Sequence, residues 1–158
     1  MSSFQRLSMF FLRISLGWML LYAGVTKLMD PTWSAAGYLN AAKAFSGFYA
    51  WLATPGMLGL TNFVNEWALT VLGILIVLGL AVRFAGIASA MLMALYYFPI
   101  LDFPYPNAHA LIVDEHVVYI FGFLVLAAFS AGKIWGIDGL MLAHPNMKKM
   151  PKLRAFLS

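Results

Sequence analysis

A chain of 158 residues that is 63% hydrophobic and 10% charged, with a mean hydropathy of +0.84, lies far outside the range of soluble domains. Its net charge of +4 comes mainly from a C-terminal basic run, which speaks for membrane orientation and anionic lipid and not for nucleic acid. The absence of cysteine excludes an iron–sulfur cluster, a dithiol relay and disulfides.

Four apolar segments, 7–28, 62–82, 84–101 and 113–132, predict a single membrane domain that is all-α, a four-transmembrane-helix bundle. The first reads as a retained span, because Arg13 interrupts it and no small-residue cleavage site follows a short apolar run. The segment after it is too apolar for a solvated loop. Asp30-Pro31 offers a helix start, and Tyr38, Ala41, Phe45, Phe48 and Leu52 recur at helical spacing. Together they predict an extra amphipathic interfacial helix over 31–53, between spans one and two. Its aromatic residues form either an interfacial belt or a lid over a lipid-accessible pocket. Spans two and three make a tight hairpin at Arg83, Pro104 and Pro106 break the third loop, and a basic tail occupies 143–158.

If both termini are cytoplasmic, Asp30, Glu66, Asp102, Asp114 and Glu115 lie at the outer face and only Asp138 lies inside. The cations divide the opposite way. Arg6, Arg83, Lys133, Lys148, Lys149, Lys152 and Arg154 fall inside, and Lys27 and Lys43 fall outside. This bias predicts a multi-pass protein of the cell membrane with cytoplasmic N- and C-termini.

The uncharged stretches 14–26, 67–82 and 117–132 cover roughly 20–24 Å of a hydrocarbon core about 30 Å thick. Arg13 and Arg83 can snorkel to the cytoplasmic side. Carboxylates cannot reach as far, which singles out Glu66 and the consecutive Asp114, Glu115 and His116. That trio fans across about 200° of a helix, so its members cannot all face inward. On span one, Arg13, Gly17, Leu20, Gly24 and Lys27 share a stripe, and the glycines allow close helix approach. Span two offers Glu66, Thr70 and Gly73, and span three Gly86, Ala90 and Ala94, ending near Tyr97.

Lys27, Glu66, Tyr96 or Tyr97, and part of the trio thus meet at the outer end of the bundle. One reading is a buried ion-pair network, Lys27 with Glu66 or Asp114, that fixes helix register. The other is a protonatable site for a quinone head group. There His116 and Glu66 handle protons, and Lys27, Tyr97, Asp114 and Arg13 bind the ligand. No spacing supports a metal site. Only His116 sits in a span near such a pocket, which argues against haem.

These positions resemble the DoxX/DoxD family of small four-helix membrane proteins. The resemblance runs through Leu12-Arg13, Gly17-Trp18, Gly24 and Lys27-Leu28, then Glu66, Gly73, Gly79 and Arg83. It continues in Asp114-Glu115-His116 and in Ala131-Gly132-Lys133-Ile134-Trp135-Gly136-Ile137-Asp138. The long outer segment is similar to the DoxD-type branch, the membrane subunit of thiosulfate:quinone oxidoreductase, whose partner DoxA carries an extracytoplasmic domain. The resemblance implies a quinone-interacting subunit of an oxidoreductase complex, embedded in lipid and joined to other membrane or extracytoplasmic subunits. It maps the site onto Arg13, Lys27, Glu66 and His116. A non-catalytic structural subunit of a larger membrane complex is the alternative, and a transporter, lacking an inverted repeat, comes third.

Overall fold

A computed structural model describes residues 1–145 and Met150. The predicted basic tail therefore lies largely outside the described residues. Helix α1 (Ser3–Met29) opens on a capping box in which Ser2 and Gln5 satisfy each other's backbone amides. Two short helices, α2 (Ala36–Asn40) and α3 (Ser46–Leu52), precede α4 (Pro55–Leu78). Then come α5 (Val82–Ile100), α6 (Glu115–Ala128), a 3-10 turn (Ala131–Lys133) and α7 (Ile137–Ala143). By length and composition α1, α4 and α5 can each cross a membrane, while α6 is apolar but only 14 residues long. This is an all-α, multi-pass membrane protein.

The four long helices close into a ring: α1 packs on α4, α4 on α5, α5 on α6, and α6 on α1. Leu20, Leu69, Ile76, Phe123 and Leu126 fill the centre. Trp18, Tyr22, Phe63, Met91 and Phe121 stand exposed on the outside, an arrangement that suits lipid and not water. Ser3, Gly79 and Ser130 lie at one end of the bundle, here called proximal. Met29, Pro55, Ile100 and Glu115 lie at the other, distal end.

The glycine stripes do what their spacing predicts. A Cβ on Gly24 would stand 2.5 Å from the Thr70 backbone nitrogen, and one on Gly73 would overlap the Leu21 backbone. Gly86 admits the Phe123 carbonyl from α6 in the same way. Gly24→Ala is therefore expected to push α1 and α4 apart at a cost of about 1–3 kcal/mol. An unchanged apparent Tm in detergent would show that the helices do not meet so closely.

Three expectations need correction. The segment 31–53 is not one helix. Asp30 accepts from the Thr32 amide (2.9 Å) and hydroxyl (2.7 Å), so its carboxylate makes a local turn instead of capping a helix. Those same bonds hold its pKa below the ordinary carboxylate value. Phe45 is left-handed (φ 52°), which separates α2 from α3. The buried face is also different: Ala35, Leu39 and Tyr49 point inward, whereas Tyr38, Phe45 and Phe48 are exposed. Helix α4 begins at Pro55, with Thr54 at its N-cap and the proline in its first turn, so it starts about two turns before the expected span 62–82 and ends at Leu78.

Arg13 does not snorkel. It is 1% exposed, and its guanidinium donates to the carbonyls of Ala131 (2.7 Å), Ile134 (2.8 Å) and Trp135 (3.4 Å). Beside it Asp138, also buried, accepts from the backbone amides of Ala81 (2.7 Å) and Val82 (3.1 Å) and so caps α5. Gly79, left-handed at φ 70°, ends α4 here, and a side chain on it would strike Arg13 and Gly136. This proximal knot ties α1, α5 and the end of α6 together.

Candidate functional site

At the distal end, α2 and α3 fold over the ends of α4 and α5 because α5 needs them. Pro99 has no amide to give the Leu95 carbonyl one turn back. Tyr49 from α3 supplies that donor through its hydroxyl (3.0 Å), and the Tyr38 hydroxyl donates to the Tyr96 carbonyl. The Lys43 amide completes the attachment on the Pro99 carbonyl (2.9 Å). Burial raises the pKa of Tyr38, helped by its neighbours Tyr96, Tyr49 and Asp114, and burial raises that of Tyr49. Both phenols therefore remain neutral donors at physiological pH. On the α4 side, Asn62 accepts from the Ala35 amide (3.0 Å) and Thr61 donates to the Leu52 carbonyl (3.2 Å). Tyr49→Phe leaves the Leu95 carbonyl without a donor. It is expected to cost about 1–2 kcal/mol and to speed hydrogen exchange within 36–53. Unaltered exchange there would mean that the attachment does not hold the lid.

Beneath this lid lies a cavity of about 530 Å³. Its walls are aromatic and aliphatic, with Trp33, Tyr38, Phe48, Tyr49 and Leu92 among them, and its polar groups include Lys27, Asn65 and Tyr96. A concave apolar site with a few convergent polar groups is the usual form of a small-molecule pocket. The Lys27 ammonium donates to the Ala23 carbonyl (3.2 Å) and lies 5.4 Å from the centroid of the Trp33 ring. The Tyr96 hydroxyl and the Asn65 carboxamide bond each other at 2.6 and 2.8 Å.

Behind the cavity stands a histidine–carboxylate pair. Asp114 caps α6 and accepts from the amides of His116 (3.0 Å) and Val117 (3.3 Å). Its other oxygen meets His116 Nδ1 at 2.7 Å, which fixes the ring and leaves Nε2 as the exchangeable nitrogen. The His116 ring stacks on Tyr96, with centroids 6.4 Å apart and an 18° tilt. Of the consecutive trio, Asp114 is buried, His116 is half-buried and Glu115 is exposed, as the fan requires.

The structure thus brings Lys27, Tyr96, Asp114 and His116 to one end of the bundle, but only Lys27 and Tyr96 line the cavity. Glu66, next to Asn65, is half-buried and interacts electrostatically with Lys27, yet the described residues show no Lys27 ion pair within 4 Å. The expected direct ion-pair network of Lys27 with Glu66 or Asp114 is therefore absent among them. Tyr97 points elsewhere: its hydroxyl bonds the Ile112 carbonyl in the third loop. Arg13 lies at the proximal end, its terminal guanidinium nitrogens given to carbonyls, away from this cavity. In the sequence, uncharged Asn65 is masked by the carboxylate of Glu66 beside it. An amide within an apolar span was the available signal.

The DoxX family model matches residues 8–102, more than half of the chain. The chain belongs to the DoxX family. The matched region of this DoxX protein includes Lys27, the lid, Asn65 and Tyr96, whereas Asp114 and His116 lie beyond it. No curated protein and no solved structure matches the chain. Among the described residues no group of three or more histidine or acidic side chains could hold a metal ion.

Proposed function

We propose that this DoxX protein is the quinone-interacting membrane subunit of an oxidoreductase complex and that the cavity under α2 and α3 receives the quinone head group. The observation that carries this reading is the cavity itself, at about 530 Å³ roomy enough for a substituted ring and walled by aromatic side chains. Its donor set fits. The Lys27 ammonium and the second amide N–H of Asn65 can donate to ring oxygens, and the surrounding aromatic faces suit a flat ring. A quinone held there supplies a two-electron, two-proton acceptor. The chain's own residues bind it, cover it with the lid, and hold His116 as a proton source beside the Tyr96 ring. By resemblance the electron donor is of the thiosulfate type and reaches the site through a partner subunit.

Lipid extraction of the protein purified in mild detergent tests this reading. A stoichiometric quinone that is lost on filling the cavity with Leu92→Trp is the expected result. Absence of bound quinone, together with no binding of added quinone, would remove it. A second reading has its own support. The third loop exposes Phe103, Tyr105, Leu111, Ile112 and Val113, a surface suited to packing against another subunit of a membrane complex. Copurifying subunits without quinone would favour that accessory role.

The lysine and arginine bias further supports a cell-membrane orientation with both termini cytoplasmic and the cavity outside. A reporter fused after Ser158 should be cytoplasmic, and one inserted at Pro55 extracytoplasmic. The reverse pattern would place the cavity on the cytoplasmic side.

A further inference from the structure

Among the described residues that line the cavity, Lys27 is the only formally charged side chain. Its ammonium has three donors, and the described contacts give one of them to the Ala23 carbonyl. Glu66 acts on it electrostatically from beyond ion-pair distance, which offsets its charge only in part. Asn65 and Tyr96 face the same space but spend hydrogen bonds on each other. A half-buried ammonium beside aromatic walls is only partly solvated, and a bound anion supplies the counter-charge it lacks. A neutral carbonyl oxygen satisfies the donors but not the charge.

We infer that the cavity selects a flat aromatic-ring ligand whose head carries an anionic oxygen, with Lys27 as its counter-ion. The inference rests on the quinone reading of the cavity and adds the charge state of the ligand it holds best. Trp33 is the second element of the site. Its ring lies against the ammonium and presents a face to the ligand ring, so charge and ring recognition meet in one place.

Two probes of nearly the same shape separate charge from shape. A 2-hydroxy-3-alkyl-1,4-naphthoquinone is a vinylogous acid and an anion at neutral pH, whereas its 2-methoxy analogue is neutral. Calorimetric titration of the full chain in detergent at pH 7 should show the anion binding on the order of tenfold to a hundredfold tighter, the size of a charge-assisted hydrogen bond. Lys27→Met should abolish that ratio by weakening the anion far more than the methoxy compound, and hydrogen exchange within 36–53 that matches the parent reports that the lid is folded. Equal affinities in the unaltered protein, or a ratio that persists in Lys27→Met, would overturn the charge inference while leaving a quinone site standing. Binding of neither compound would remove both. An alkanoate without a ring that binds as tightly as the anionic naphthoquinone would overturn the requirement for a ring.

Discussion

Arg13→Met is expected to cost the bundle about 3–5 kcal/mol, because it takes the donor from buried carbonyls and leaves the buried Asp138 without a cation nearby. Methionine fills a similar volume, so the loss comes from electrostatics and hydrogen bonding more than from a cavity. The Ile134 and Trp135 carbonyls lose their guanidinium donor, and Asp138 loses the cation beside it. The Phe10 ring, 5.4 Å below the guanidinium carbon, loses its cation as well. The fall should appear as a lower apparent Tm and a lower yield of folded protein. Arg13→Met combined with Asp138→Asn should recover part of it, because the asparagine can still accept from an amide at the start of α5 without leaving a buried charge. A single variant as stable as the parent would show that the knot does not hold the proximal end.

The parts of this fold that could be read in the sequence depend on periodicity within one helix. The Gly17–Gly24 stripe of α1 and the Thr70–Gly73 stripe of α4 meet face to face, and Gly86 lies against α6, because small residues at helical spacing leave only one way to bring backbones close. What could not be read depends on partners distant in sequence. Asp30 looks like a helix cap until Thr32 takes its oxygens, and the continuity of 31–53 yields to Tyr38, Lys43 and Tyr49, each tied to α5 about fifty residues further on. Arg13 shows the same limit. Whether a cation near a span end snorkels or turns inward depends on whether carbonyls await it, and these come from residues 131–135. The candidate site divides along this line too. Lys27, Asp114 and His116 stand out by charge, whereas Asn65 and Trp33 gain their roles from the lid geometry.

Under the proposed quinone reading, His116→Ala is expected to leave the fold nearly intact and to lower quinone-dependent turnover of the complex by about 10²–10⁴-fold, the range for loss of a positioned proton donor. Folding should survive because Asp114 keeps its capping bonds to the backbone amides of residue 116 and Val117 when the ring is removed. Quinone affinity should change little, since His116 does not line the cavity and Tyr96 retains its bond to Asn65. Proton supply is what is lost. The imidazole is held at Nδ1 by Asp114, lies beside the Tyr96 ring and has its side chain 19% exposed, so its Nε2 can exchange protons with solvent. Added imidazole should therefore restore part of the turnover, which a purely structural role would not permit. Asp114→Ala should behave differently, losing about 1 kcal/mol of cap stability together with turnover, because one carboxylate serves both the helix and the ring. Normal turnover in a folded His116→Ala protein would take the histidine out of the chemistry. The cavity would then be a binding site whose protons come from elsewhere, or a feature of a subunit that is structural.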